Sequence, residues 1–380
     1  MSQGPNKKIL AASATSNTMK SKPDSSSGTL TKLLLVASAL FCAWVYQTAI
    51  PPPPKTLGSP DGLIITSSRI KLHDGRYLAY EESGVPKDKA KAKSKFIFLH
   101  GFGSSKYNNP YVTGASPGVV EELGVYTVAI DRPGYGESDP DPNRTIKSMA
   151  FDIEELADEL NLGPKFYIIG DSMGGMIVWS CLKYIPHRLA GAVLITPGIN
   201  FWWPNMPSNL TNEAFSRQVK QDQWSYRVAH YVPWLSYWWN TQKWFPSFSI
   251  IDGSTAILCP SDIQALLKLY AGMGPNQLQM MKSHPTQQGE YESLHRDLNV
   301  GFGKWDFDPM DLEDPFPNNE RSVHLWMGAE DLIVPVTLQR HIVQQLRWVK
   351  YHEVAGAGHL MFNVDGFIDA ILKTLLNVKN

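Results

Sequence analysis

Gly170-Asp171-Ser172-Met173-Gly174 stands between a short apolar run, Phe166 to Ile169, and a helix-like run, Met176 to Ile185. Strand, tight turn and helix form the context in which G-x-S-x-G becomes a nucleophile elbow. The turn holds Ser172 in a strained backbone conformation, and side chains two positions away on either side would collide, so both are Gly. The serine oxygen then stands clear of the sheet at the positive end of the following helix. A Gly-rich turn with an incidental serine is the plainer alternative. Short patterns recur by chance, so the surrounding chain has to decide between the two.

From about Gly62 onward, strand and helix signals alternate. Arg69–His73 and Arg76–Glu82 flank Asp74-Gly75, a hairpin signature. Lys87 to Lys95 carries a lysine at every second position and reads as a solvated loop. Strands follow at Phe96–Leu99 and Val125–Ile130. Thr145 is positioned as an N-cap ahead of Ile146, Met149, Ile153, Leu156 and Leu160 at helical spacing; Asp152, Glu155, Asp158 and Glu159 read as the wet face. Further strands are expected at Ala190–Ile195, Val323–Met327 and Val349–Val354, with helices from Val336 to about Leu346 and over roughly Phe367–Leu376. Alternation of this kind predicts a mostly parallel sheet with helices on both faces, and ligands bound beyond the carboxyl ends of the strands.

The alternation breaks after Pro197. Residues 199 to 320 hold eight of the twelve tryptophans, Trp202, Trp203, Trp224, Trp234, Trp238, Trp239 and Trp244 among them. A structureless loop of that length does not suit a compact domain, so an inserted helical cap is expected. Its aromatics have three readings: the cap's own core, an apolar substrate cleft, or a membrane-facing surface.

A serine hydroxyl is a poor nucleophile at neutral pH; it needs a base within hydrogen-bond reach, and the base needs a carboxylate to fix its tautomer. Ser172, Asp331 and His359 each follow an expected strand, so all three can converge at one sheet edge. Glu330, Asp365 and Asp369 compete with Asp331 in the sequence, but Asp331 sits just after a strand and four residues before Pro335. Two backbone donors are expected for the oxyanion, the N–H of Met173 just after the serine and that of Phe102 after the early strand. His100 reads as a support for that loop, and Asp171 as a neighbour of the serine that points elsewhere.

His100-Gly101-Phe102-Gly103, the loop Asp131 to Ser138, Gly170 to Gly175, Gly328 to Pro335 and Gly358-His359 together resemble the landmarks of the α/β-hydrolase superfamily, over about residues 62 to 380. The resemblance implies the α/β-hydrolase fold, a mostly parallel sheet of eight-stranded type with an inserted helical cap. It also matches the family's chain order of Ser, then Asp, then His. Asp131-Arg132-Pro133-Gly134-Tyr135-Gly136 looks like membrane-anchored plant-type members of the epoxide-hydrolase-like branch. Family epoxide hydrolases and haloalkane dehalogenases carry an aspartate nucleophile at the elbow; Ser172 stands there here. The departure argues for esterase-type serine chemistry and against epoxide opening. No His-x-x-x-x-Asp acyltransferase signature follows His359.

Leu33 to Ile50 is an apolar stretch of eighteen residues without a charge, which just reaches the length needed to cross a hydrocarbon core. Residues 1–32 read as a disordered tail, 33–50 as a transmembrane anchor, 51–61 as a Pro-rich linker, and 62–380 as the hydrolase domain with its cap at about 199–320. A cleaved signal peptide and a transit peptide are the alternatives; the first suffers from too long a leader and the second from the absence of arginine before Arg69. Lys7, Lys8, Lys20, Lys22 and Lys32 precede the anchor, and by the positive-inside rule the domain lies on the lumenal side. The sequons at Asn143 and Asn209 agree with that placement.

The net charge of −1 offers no bulk attraction for nucleic acid. Cys42, Cys181 and Cys259 show neither metal spacing nor a disulfide framework. No G-x-G-x-x-G or G-K-[ST] loop occurs, so no nucleotide cofactor and no metal is expected. The reading is a membrane-anchored serine hydrolase of a small hydrophobic ester. The rivals are a hydrolase-fold receptor with little turnover, and a hydrolase of another bond on the same fold.

Overall fold

The structure, a computed structural model, describes residues 25–58, 62–87, 91–107, 114–318, 321–361 and 364–377. The chain divides into two units at Thr48/Ala49. The first unit contributes one helix, α1 (Ser25–Ala49), whose segment Gly28–Ala49 is long and apolar enough to cross a membrane. At about 1.5 Å per residue its 22 residues span about 33 Å. The helix starts ahead of Leu33, inside the stretch read from sequence as a disordered tail. Propagation adds one hydrogen bond per residue fixed, so a formed apolar helix extends readily through polar neighbours. Residues 1–24 of that tail lie outside the described residues.

The second unit is built on an eight-stranded sheet in the order β1-β2-β4-β3-β5-β6-β7-β8. Strands β1 (Ser68–Lys71) and β2 (Tyr77–Gly84) form the antiparallel hairpin around Gly75, whose φ of 94° a side chain would resist. β2 runs antiparallel to β4 (Val125–Ile130). β3 (Ser94–Leu99), β5 (Phe166–Asp171), β6 (Leu189–Ile195), β7 (Val323–Gly328) and β8 (Val349–Val354) continue the sheet in parallel. Every residue of β4 and β6 is buried, as expected of parallel strands covered on both faces. β3 begins at Ser94, so Lys95 belongs to a strand rather than to the solvated loop; residues 88–90 of that loop lie outside the described residues.

Two apolar layers enclose the sheet. On one side, α2 (Pro117–Leu123) and α12 (Phe367–Leu375) cover Phe96, Phe98, Val193 and Ile195. On the other, α3 (Ile146–Glu159), α4 (Met173–Tyr184) and α11 (Val336–Gln345) pack with much of the cap into the larger core. Thr145 caps α3 in a reciprocal box with Ser148. Asp152 departs from its reading as part of a wet face. It is buried, and Arg76 from the hairpin grips it through both carboxylate oxygens at 3.2 and 2.7 Å.

Between β6 and β7 the chain forms helices α5 (Ser208–Arg217), α6 (Lys220–Tyr231), α7 (Ser236–Thr241), α8 (Pro260–Ala271), α9 (Pro275–Ser283) and α10 (Arg296–Phe302). A π-helical turn, Tyr291–His295, leads into α10. This helical insertion covers the carboxyl ends of the central strands, where the site is found.

Candidate active site

Ser172 joins β5 to α4 with φ 51° and ψ −112°, a conformation that costs a residue with a side chain about 1–3 kcal/mol. Its neighbours hold it there. The Ser172 N–H donates to the Ile195 carbonyl at 2.8 Å, and its carbonyl accepts from Gly175 and Gly198, both at 3.0 Å. The flanking glycines are a steric necessity. A Cβ on Gly170 would lie 2.4 Å from the Gly174 carbonyl oxygen, and one on Gly174 would lie 2.1 Å from that of Leu99.

Asp331 and His359 meet across the ends of β7 and β8. His359 Nδ1 and Asp331 Oδ2 are 2.7 Å apart, and both side chains are buried. Asp331 Oδ1 accepts the N–H groups of Ile333 and Val334, each at 2.8 Å, which locks the carboxylate. With the carboxylate at Nδ1, that nitrogen carries the donated proton and Nε2 is left for chemistry. Burial alone would lower the affinity of His359 for a second proton. The Asp331 charge and hydrogen bond, with smaller contributions from Asp171 and Asp262, overcome it and push the imidazole up to about 9. The two loops touch so closely that a Cβ on Gly328 would sit 2.0 Å from the Gly358 carbonyl oxygen.

The loop after β3 passes directly over the serine: a Cβ on Gly101 would stand 3.2 Å from Ser172 Cβ. His100 Nδ1–H donates to the Gly101 carbonyl at 2.8 Å, while Nε2 accepts the Arg132 N–H at 3.1 Å. Burial, reinforced by the Arg132 charge, lowers His100 to about 3 and keeps it neutral. Arg132 also donates to the carbonyls of His100 and Gly101, both at 3.1 Å. Its guanidinium is anchored in turn by a bidentate pair with Asp297 of α10, at 2.8 and 2.6 Å. Arg144 and Tyr135 donate to the same carboxylate at 2.9 and 2.7 Å. Asp131 is not at the site; its buried carboxylate is taken by Lys106 at 2.5 Å and His284 at 3.0 Å.

Ser172 opens into a narrow pocket with a free volume of about 40 Å³. Phe102 and Met173, the expected sources of the two oxyanion donors, line it beside the serine, as do Ile333, Val334 and Pro335 of the Asp331 loop. The remaining wall is cap and core: Met176, Ile199, Phe201, Tyr226, Phe248 and Phe302 contribute, and no charged side chain does among the described residues. The cap aromatics thus do line an apolar cleft, through Phe201, Tyr226, Phe248 and Phe302, while no tryptophan is among the described lining residues. The structure thus joins His359 directly to Asp331, and the Asp331 loop shares a pocket with Ser172, without a Ser172–His359 hydrogen bond in this conformation. Such bonds are commonly looser before substrate binds.

Sequence reasoning missed three contributors. Asp262 holds the loop that carries His359, accepting the Leu360 N–H at 2.7 Å. Asp297 anchors Arg132 and so the loop over the serine, and Tyr226 adds a tyrosine to the pocket wall. Asp262 had a local signal only, in Pro260 at the start of a helix followed by an acidic residue in its first turn.

The family profile described as alpha/beta hydrolase fold matches residues 95–229, the stretch from β3 through the elbow into α6. The chain has the α/β-hydrolase fold. Among curated relatives, the pimeloyl-[acyl-carrier protein] methyl ester esterase of Pseudoalteromonas atlantica is 22% identical over 294 residues, covering 74% of this chain and 94% of that protein. The enzyme of the same description from Sodalis glossinidius is 28% identical over 130 residues, 33% of this chain and 46% of that one. Among solved structures, an esterase from Thermogutta terrifontis aligns with TM-score 0.54 and 21% identity over 83% of this chain and all (100%) of its own. The enol-lactonase from Burkholderia xenovorans aligns with TM-score 0.51 and 15% identity, over 82% of this chain and 98% of its own. At these identities the structural likeness establishes the fold, and ester hydrolysis recurs among the similar proteins.

Proposed function

We propose that this α/β-hydrolase cleaves neutral, hydrophobic carboxylic esters through Ser172, with His359 as base and Asp331 as its orienting carboxylate. The observation that carries the reading is the buried Asp331–His359 pair, with the Asp331 loop walling the pocket of a strained Ser172. His359 Nε2 takes the Ser172 proton as Oγ attacks the ester carbonyl. The oxyanion is held by the N–H groups of Phe102 and Met173, each of the order of 3 kcal/mol of barrier. Collapse expels the alcohol, which leaves with the proton from His359. Water then enters, His359 takes its proton as the oxygen attacks the acyl-serine, and collapse releases the acid while His359 returns the proton to Ser172 Oγ. One ester and one water give one acid and one alcohol. The uncharged pocket wall favours a neutral acyl group, and the esterase relatives favour an ester over other bonds.

The apolar α1 serves as a single-pass membrane anchor in this reading, with the hydrolase domain on the lumenal side. Turnover of a series of neutral p-nitrophenyl esters by the full chain tests the activity. Hydrolysis lost in Ser172→Ala supports it; equal rates in both proteins sink it. Protease protection on membranes tests the orientation: a shielded domain supports the lumenal side, and a digested one reverses it.

A further inference from the structure

The cap leaves a tract of aromatic rings outside its own packing. Trp224 on α6, Trp238 and Trp239 on α7, and Trp244 and Phe245 in the turn that follows touch in series, with centroids 5.9 to 6.4 Å apart. Trp224 is 54% exposed, Trp244 68% and Phe245 56%, and Trp234 just before α7 is 64% exposed. Single exposed aromatics need no explanation, whereas a contiguous run marks a surface that meets something apolar.

The tract is held in shape. Gln242 Oε1 accepts the N–H groups of Trp244 and Phe245 at 2.6 and 2.9 Å, and its Nε2 donates to the carbonyls of Phe245 and Trp239 at 2.7 and 3.1 Å. Lys243, Trp244, Phe245 and Pro246 are exposed in succession, and the Arg227 guanidinium lies 5.4 Å over the Trp224 ring. From Gln223 to Ile251 the chain has no Asp or Glu; its formal charges are Arg227 and Lys243. Indole rings bordered by cations, with no acidic residue, are the composition that settles at the headgroup level of a bilayer.

The connection to α1 points the same way. Lys55 N–H donates to the Gln288 carbonyl at 2.9 Å, which fixes the incoming chain on the cap segment just before Tyr291–His295. Tyr291 and His295 pack against Tyr237 of α7, at 6.0 and 6.1 Å. From Ala49 to Lys55 the chain advances six residues, four of them proline, and at about 3.1 Å per residue this covers at most about 19 Å. The chain that follows α1 is thus fixed on the cap segment that packs against α7.

We propose that the aromatic tract Trp224–Phe245 rests in the headgroup region of the bilayer that holds α1, so that the cap docks on lipid and the pocket draws lipophilic esters from it. The docking extends the anchor reading given above. Tyr226 of the pocket wall shares α6 with Trp224, and Phe248 of the wall follows Phe245 by three residues, so the tract and the pocket wall are adjacent in the chain.

The test uses the full chain carrying Trp44→Phe, reconstituted in phosphatidylcholine–phosphatidylserine liposomes with and without bromine on the acyl chains. Bromine-dependent quenching of tryptophan fluorescence is expected, with most of it lost in a further Trp224→Ser/Trp244→Ser variant. Both side chains are exposed, and an unchanged melting temperature will confirm the fold. Carbonate extraction separates anchor from docking. Quenching in a chain that carbonate strips from the liposomes keeps the docking and removes the anchor. A chain that floats and resists carbonate without quenching overturns the docking, and its tract then faces a second copy or another protein. Quenching unchanged by the double substitution overturns it too, as does a chain that does not float.

Discussion

Asp262, on cap helix α8, accepts the backbone N–H of Leu360 at 2.7 Å, one residue past His359. Its second oxygen accepts the Cys259 N–H at 3.3 Å, and a Cβ on Gly358 would lie 2.4 Å from that oxygen. The cap therefore clamps the loop that carries His359, and its carboxylate adds to the field that favours the protonated imidazole. Asp262→Ala should lower kcat by about 10- to 100-fold with KM little changed. Asp262→Asn, which keeps an acceptor for Leu360, should recover much of kcat while the alkaline-rising limb of the pH profile moves down. Equal pH profiles in all three proteins would reduce Asp262 to a packing residue.

The pH profile itself follows from His359. In the proposed role as base it works only when neutral, and its folded-state value is raised to about 9 from an ordinary 6.5. Ester hydrolysis by the free enzyme should climb with pH until about 9 and then level. The same shift carries a stability consequence of opposite sense: a raised value stabilises the fold fully below about 6.5, and that contribution fades as pH rises through about 9. Asp331→Asn removes the first charge responsible. The variant should lose about three to four orders of magnitude in kcat, and its remaining pH limb should fall. Rates and melting temperatures measured from pH 5 to pH 10, about the span that covers both values, check the two together.

Arg132→Ala tests the loop over the serine. It removes the guanidinium donors from the His100 and Gly101 carbonyls and leaves Asp297 with a reduced set of donors in a buried site. Breaking a buried pair on one side costs about 3–5 kcal/mol, so denaturant melts should show a large loss of stability. Any folded fraction should bind substrate yet turn it over slowly, because the Phe102 N–H is no longer fixed.

The pocket wall sets the acyl preference. A straight-chain neutral ester should exceed the same ester with a terminal carboxylate by about 100-fold or more in kcat/KM, since the carboxylate would lose its water without gaining a partner. Comparable values for the two would place a cation at the wall that the structure does not show.

The elbow and the strand ends were legible because their constraints are local. Gly170 and Gly174 are dictated by clashes within a few residues and with Leu99, and Thr145 by its own cap. Buried apolar runs of four to seven residues likewise marked β3 to β6. What stayed hidden depends on partners far along the chain. Asp152 reads as wet from helical period alone, and only the folded hairpin brings Arg76 to it. Asp297 meets Arg132 across 165 positions and Asp262 meets Leu360 across 98, and no periodicity carries such pairings. The cap tryptophans announced an aromatic insertion, but which rings face outward depends on how its short helices pack.

The central claim is that Ser172 is an activated nucleophile, and a fluorophosphonate probe tests it most directly. The full chain should acquire one phosphonyl group, located by peptide mass spectrometry on Ser172, at a rate that rises with pH toward about 9 as His359 becomes neutral. Ser172→Ala should remain unlabelled while keeping its melting temperature. A folded wild-type chain that the probe leaves untouched, or a label found on another residue, would contradict the account.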